Sequence, residues 1–358
     1  MKSNNPNLTQ EVPNIKNTIS PESKKLSEMV KDTSLSLVDR IESFEDIINI
    51  EVGDTSLSRA RNIEREAGMR QLFLKFEGGN PTGTQKDRIA FAQCLDALRR
   101  GYNTIAVATC GNYGASIALA SYLAGIKCII HIPNNYHTKR IDEMEQAGAE
   151  ILRIHGSYED TVKASSDLAS AYEWYDANPG GANTALQIRA YAEIANEIYD
   201  QLRDAPKIIA IPVSNGTLLA GIYRGFVSLY KRGKTSRIPM MLAASSTRKN
   251  PIVNSFRRGL ESCEDLIPGK IKETEINEPL INWHSFDGEE ALYAIKHSKG
   301  NAYNISDEKM LKVSRLLKEK EGLHVLPASV AGLVALLKMN DEKELEPDRY
   351  VAVLTSRK

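Results

Sequence analysis

The sequence predicts an α/β protein with largely parallel sheets. Two observations carry that prediction. Short strand-like runs alternate with helical periodicities at intervals of about 20–30 residues. The strand-like runs are near-continuous stretches of Ile, Val and Ala, the composition of strands covered on both faces. A third observation bounds the size: a chain of 358 residues buries roughly three quarters of its unfolded surface, enough for one large core or two linked ones.

Residues 1–35 are rich in Asn, Pro, Ser and Lys with little periodicity, and read as a mobile tail. Strands are expected at 72–76, 104–108, 127–132, 151–154, 207–213, 240–244 and 349–354. Helices are expected at 87–100, 112–124, 137–148, 158–173, 185–203, 216–231, 289–297, 307–321 and 329–339. The helix at 112–124 consists mostly of small residues and ends at Gly125, so it can lie very close to a sheet. No internal repeat is present.

Lys and Arg number 46, and Asp and Glu also number 46, so the net charge is zero. A nucleic-acid or anionic-membrane partner is therefore not expected, because such binding rests on a basic field. The longest purely apolar run, around Ala331 to Leu337 and broken by Gly332, falls far below the roughly 20 residues that span a bilayer. The opening residues are hydrophilic, with no apolar signal core, and a cytosolic protein is expected. Cys94, Cys110, Cys128 and Cys263 form no Cys-x-x-Cys pair. They are read as reduced thiols, too scattered for a disulfide scaffold or a metal site. The segment Gly79-Asn-Pro-Thr-Gly-Thr-Gln-Lys86 lacks the Gly-Lys-Ser/Thr ending of a nucleotide-binding P-loop.

Three loops, each ending at a helix start, carry unusual compositions. In an open parallel sheet, ligands bind at the carboxyl ends of strands, where helix N-termini offer unpaired amides to anions. The first loop is 77–88, with Lys86 at its helix start. The helix dipole disfavours a positive charge there. Lys86 is either a solvated surface lysine or a lysine of lowered pKa, ready to form a Schiff base. The second loop is Thr109-Cys110-Gly111-Asn112-Tyr113. Its glycine and helix-start amides can hold a carboxylate, or it is an ordinary turn capped by Asn. The third is Ser214-Asn215-Gly216-Thr217-Leu218, a phosphate cradle or again a capped turn. A Schiff-base lysine, a carboxylate loop and a phosphate loop together are what a pyridoxal-phosphate enzyme acting on an amino acid requires.

The chain from about Val52 onward resembles the pyridoxal-phosphate enzymes of the tryptophan-synthase-β fold type (fold type II), threonine synthases above all. Gly53-Asp-Thr-Ser-Leu resembles the family's opening motif, with Ser56 in place of proline. Asn80-Pro-Thr-Gly-Thr-Gln-Lys86-Asp-Arg resembles its cofactor-lysine motif, and Thr109-Cys-Gly-Asn-Tyr-Gly its substrate-carboxylate loop. The segment 212–218 resembles its phosphate loop, Leu326-Pro-Ala-Ser329 its Glu-Pro-Ala-Ser segment, and Thr355 the Thr that faces the pyridine nitrogen. The resemblance implies Lys86 as the catalytic, cofactor-bearing residue. It implies Asn112, Ser214–Leu218 (Ser214, Asn215, Gly216, Thr217, Leu218) and Thr355 as cofactor contacts, and Thr109, Cys110, Gly111, Asn112 and Tyr113 as substrate contacts.

It further implies a two-domain architecture of open twisted parallel sheets with pyridoxal 5'-phosphate between the domains. Residues 36–88 and 183–358 would form the large domain and 89–182 the small one, in a homodimer. The reaction implied is elimination or replacement at Cβ or Cγ of a small amino acid, most like the conversion of O-phosphohomoserine and water to threonine and phosphate. The alternatives are a β-replacement or β-elimination enzyme, similar to cysteine synthases or serine/threonine ammonia-lyases, and a silent binding protein of the same fold. Cys110 and Tyr113 stand where small hydroxyl residues are usual. The Arg that follows the Asn-Pro of threonine synthases and grips the substrate phosphate has no counterpart after Asn178-Pro, and Arg189 is a candidate substitute.

Overall fold

A computed structural model describes residues 14–109, 111–134, 136 and 140–358. Ten strands are seen among them: β1 Leu57–Arg59, β2 Leu72–Phe76, β3 Thr104–Ala108, β4 Lys127–Pro133, β5 Glu150–Ile154, β6 Tyr175–Asp176, β7 Ile208–Pro212, β8 Met240–Ser246, β9 Asn301–Ile305 and β10 Tyr350–Leu354. The α-helices are α1 Pro21–Lys31, α2 Leu37–Glu51, α3 Arg61–Ala67, α4 Lys86–Arg99, α5 Asn112–Ala124, α6 Ile141–Gln146, α7 Tyr158–Ala171, α8 Thr184–Leu202, α9 Thr217–Lys231, α10 Pro251–Arg257, α11 Gly288–His297, α12 Asp307–Glu321 and α13 Ala331–Glu342.

The strands form two sheets. The larger runs β1-β2-β10-β7-β8-β9 and the smaller β5-β4-β3-β6. Every pairing is parallel except β1 with β2, an antiparallel edge. This is the α/β fold the alternation predicts. Strands β7 and β10 are buried at every position. One face of the large sheet packs Ala210, Leu242 and Ala352 against Leu333 and Leu336 of α13. The other packs Ile209, Ile211 and Val351 into a core shared with Leu219, Ile222 and Phe226 of α9. Each such Leu, Ile, Val or Phe side chain contributes about 1.5–3 kcal/mol on burial. That shared core continues through Ile105, Val107 and Ile130 of the small sheet, so both sheets rest on common helices. Helices α8 and α9 approach closely because α9 presents Gly225: a Cβ there would lie 2.6 Å from the Ala192 carbonyl oxygen.

The expectation of a mobile tail over 1–35 fails over its second half, and residues 1–13 lie outside the described residues. Ser20 caps α1 by accepting from the Ser23 amide, and Pro21 starts the helix. Ile15, Ile19 and Val30 are buried, and Ser27 donates to the Leu123 carbonyl of α5 at 2.9 Å. The few apolar residues of this polar segment are spaced to meet the surface of α5, a match that composition does not reveal. Part of the helix expected at 137–148 also lies outside the described residues, and α6 begins at Ile141. The start expected at 329 is a 3-10 turn, Pro327–Val330, before α13.

Candidate active site

Strands β2, β3, β7 and β10 all end at one side of the molecule, and the loops that follow them meet. After β2, the chain folds back on itself before α4. Asp87 organises that turn, its carboxylate accepting from the Thr82 amide at 2.8 Å and the Thr82 hydroxyl at 2.7 Å. Burial pushes the Asp87 carboxyl up to about 6, against the pull of these donors. Lys86 therefore stands at the first position of α4 with a fixed backbone. It is half-buried, and its ammonium makes no hydrogen bond or ion pair with the described residues. Its Nζ lies 5.4 Å from the centre of the Tyr113 ring. Burial lowers its pKa to about 8, with the Asp287 carboxylate a lesser, opposing influence.

The loop after β3 lies beside this turn. Thr109 is buried and anchored by its amide to the His131 carbonyl at 3.0 Å. Gly111 precedes α5 with no side-chain cap, and the first helical bonds run from Gly114 and Ala115 to Gly111. The amides of Asn112 and Tyr113 thus stand outside the helix ladder. The Asn112 side chain donates to Ser356 Oγ at 3.3 Å and accepts from the Arg140 guanidinium at 2.8 Å. Arg140 also donates to the Thr82 carbonyl at 3.0 Å, so it joins this loop to the lysine loop. The Tyr113 hydroxyl is turned away from Lys86. It donates to the Ala177 carbonyl at 2.9 Å and accepts from Gln93. Only the ring of Tyr113 faces the lysine. Cys110 lies outside the described residues.

The loop after β7 opens α9 through Gly216, whose φ of 101° is the left-handed region that glycine accepts without strain. A Cβ there would lie 2.7 Å from the Asp287 carbonyl oxygen. The first helical bond runs from Ala220 to Gly216, so the amides of Thr217, Leu218 and Leu219 stand free of the ladder. Ser214 is held through its carbonyl by Asn250 at 2.9 Å and Ser285 at 3.2 Å. The Asn215 side chain accepts from Asn282 at 3.1 Å. At the end of β10, Thr355 donates to Ser329 Oγ at 3.1 Å, and its carbonyl accepts from the Gln85 amide at 2.9 Å.

The site thus consists of a lysine of lowered pKa between two uncapped helix starts, with a pair of neutral hydroxyls at the end of a central strand. Residues 48–356 match the family described as "Pyridoxal-phosphate dependent enzyme". The chain belongs to that family. Among its relatives are the threonine synthases of Methanocaldococcus jannaschii, 31% identical over 87% of this chain and 75% of that one, and of Bacillus sp., 31% identical over 86% and 83%. The fold resembles maize serine racemase (TM-score 0.72, 19% identity, covering 90% of this chain and 94% of that one). It also resembles threonine deaminase isoform 2 from Solanum lycopersicum (TM-score 0.70, 15% identity, 89% and 90%). These are fold type II enzymes, and this chain is a pyridoxal-phosphate-dependent lyase of the same architecture.

The residues of the lyase fit its cofactor. Lys86 could take the cofactor's aldehyde, and the amides of Thr217, Leu218 and Leu219 behind Gly216, a turn that any Cβ would crowd, could take its phosphate. One residue absent from the sequence reading stands out. Asp287, just before α11, accepts a hydrogen bond from the Thr217 hydroxyl and donates its amide to the Asn215 carbonyl at 3.0 Å. In sequence, Asp287-Gly288 reads only as a helix start, so no local signal could have found it. Arg189 is exposed on α8 and forms no ion pair with the described residues.

Proposed function

We propose that this enzyme carries out elimination or replacement at Cβ or Cγ of a small amino acid, most like a threonine synthase. The observation that carries the reading is Lys86, unpaired, half-buried and shifted to about 8, between the two uncapped helix starts. Pyridoxal phosphate, when bound, draws electrons away from the substrate's Cα and so eases departure of its proton. In this reading Lys86 carries the cofactor and then, as a free amine, takes the Cα proton. The amides of Gly111, Asn112 and Tyr113, with Thr109 and Cys110, hold the substrate carboxylate at the positive end of α5. Asn112 also faces the cofactor. Ser214 to Leu218 hold the phosphate. Thr355, whose proton goes to Ser329 Oγ in this structure, would turn it to the ring nitrogen as a neutral partner, which favours elimination over transamination.

Residues 89–182, which carry the small sheet and the carboxylate loop, would close over the substrate and exclude water. The same reading places the enzyme in the cytosol, in keeping with free thiols at Cys94, Cys128 and Cys263. It also expects a homodimer, on the family resemblance alone. No helix among the described residues is long and apolar enough to cross a membrane.

A second reading, a β-replacement or β-elimination enzyme acting on serine-type substrates, is favoured by Arg189. Its exposure leaves the grip on a substrate phosphate without the arginine that threonine synthases supply. The test is the visible spectrum of purified protein with pyridoxal phosphate, before and after O-phosphohomoserine. Lys86→Ala serves as control. A cofactor band lost in the variant, perturbed by that substrate and accompanied by phosphate release, supports the threonine synthase reading. A band that ignores O-phosphohomoserine while serine-type donors yield keto acid supports the second. No band at all sinks both and leaves a silent member of the fold.

A further inference from the structure

The phosphate loop contains a conflict of hydrogen-bond donors. Thr217 is the first residue of α9, at the mouth of the cradle, and its hydroxyl is buried against the Asp287 carboxylate, to which it donates. A hydroxyl has a single proton to donate and otherwise only lone pairs. While that proton is given to ionised Asp287, Thr217 has only lone pairs to turn toward a phosphate dianion, which has none but lone pairs of its own. The carboxylate also sits at the same helix start that the phosphate needs, and two anions there repel. Both problems vanish when Asp287 carries a proton. It then donates to Thr217 Oγ1, and the Thr217 proton is free to turn to the phosphate.

We propose that Asp287 is the proton-bearing partner of the phosphate cradle, so that capture of the cofactor's phosphate takes up a proton at Asp287. This rests on the reading of 214–218 as the phosphate loop. The surroundings suit the role. Asp287 is buried, and burial raises its carboxyl above the ordinary range. Lys86 from α4 and Thr217 from α9 pull it down. The buried hydroxyl of Thr184 from α8, hydrogen-bonded toward the same carboxylate, does the same. Glu290 on α11 pushes it up, though it is paired with Arg224 at 2.6 Å. The Tyr191 hydroxyl of α8, buried and unpartnered among the described residues, lies within electrostatic reach. Asp287 is tied to the loop through its backbone as well, so it cannot withdraw without moving Asn215.

The experiment compares pyridoxine 5'-phosphate with pyridoxine by calorimetry from about pH 6.5 to 9, where the ligand phosphate is a dianion for most of the range. Neither ligand has an aldehyde, so covalent capture plays no part. The ratio of their affinities isolates the phosphate. In the wild-type protein that ratio is expected to fall with rising pH, by up to about tenfold per unit. The fall should persist in Lys86→Ala, where the lysine no longer titrates, and vanish in Asp287→Asn, whose amide donates to Thr217 at every pH. Measured on the wild-type chain in two buffers of different ionisation enthalpy, binding at the alkaline end should take up close to one proton, a result that needs no variant to fold. A flat ratio in the wild type, a slope lost in Lys86→Ala, a slope retained in Asp287→Asn, or no proton uptake would each overturn the proposal. Equal affinity for the two ligands at every pH would overturn the phosphate-loop reading itself and the proposal with it.

Discussion

Lys86 owes its chemistry to where the chain puts it. Burial and the first position of a helix both work against its charge. With a pKa near 8, the amine is the dominant form above that pH, whereas a solvated lysine stays protonated to about 10. Reaction of Lys86 with pyridoxal, which lacks the phosphate and so avoids the cradle, should speed up with pH and level off just above 8. Borohydride trapping followed by peptide mass spectrometry would read it, and a rate still climbing past 10 would show an ordinary surface lysine. Gly216 is the second residue whose place decides its type. Alanine there meets a backbone oxygen at 2.7 Å and a φ of 101°, which together cost about 1–3 kcal/mol or displace the loop. Gly216→Ala should therefore raise the cofactor's dissociation constant at least about tenfold, measured by equilibrium dialysis. Retention equal to wild type would mean the cradle is not at this turn.

At the scale of elements, α1 is the piece that composition misjudges. Ile19 is buried against the protein although it lies in a polar segment. Ile19→Ala should cost about 2–5 kcal/mol in urea unfolding, as for any core aliphatic. A change within about 0.5 kcal/mol would show that the segment does not pack. The strands that carry the site were legible because they are largely apolar runs: β2, β3, β7 and β10 fall within a residue or so of where the sequence puts them. Strand β9 was not, because Asn301 and Asn304 interrupt its pattern at a half-covered edge of the sheet. The three loops were legible as compositions, and the family resemblance joined them into one site. What sequence could not supply was which side chains turn inward. Tyr113 looked like a pocket hydroxyl, yet its oxygen is taken by Ala177 and Gln93. Asp287 gave no signal at all, yet it sits on Thr217. Each outcome depends on a partner far away in the chain.

Across the whole molecule, the site is held in place by a buried set of charges rather than by the loops alone. Arg88, two positions after Lys86, pairs with Glu77 at 2.6 Å and with Glu197 of α8 at 2.7 Å. Lys75 of β2 pairs with Glu197 at 2.5 Å, and Thr55 donates to Glu77 at 2.7 Å. Strand β2, the start of α4 and the middle of α8 are thereby locked together beneath Lys86. Burial alone would raise the Glu197 carboxyl, but Arg88 and then Lys75 outweigh it and bring it to about 2. The folded pKa is thus depressed below the ordinary value of 4.5. A group of this kind contributes its stability above the unfolded pKa and loses it as pH falls through the folded one. Stability should therefore decline between about pH 4.5 and 2, by an amount on the order of 3 kcal/mol from Glu197 alone. Glu197→Gln should start less stable at neutral pH, because Arg88 and Lys75 lose a charge partner in a buried place, and should show a shallower acid limb. Urea unfolding of both proteins at a series of pH values decides it. Parallel acid limbs would mean that Glu197 is not what joins the helix of Lys86 to the rest of the fold.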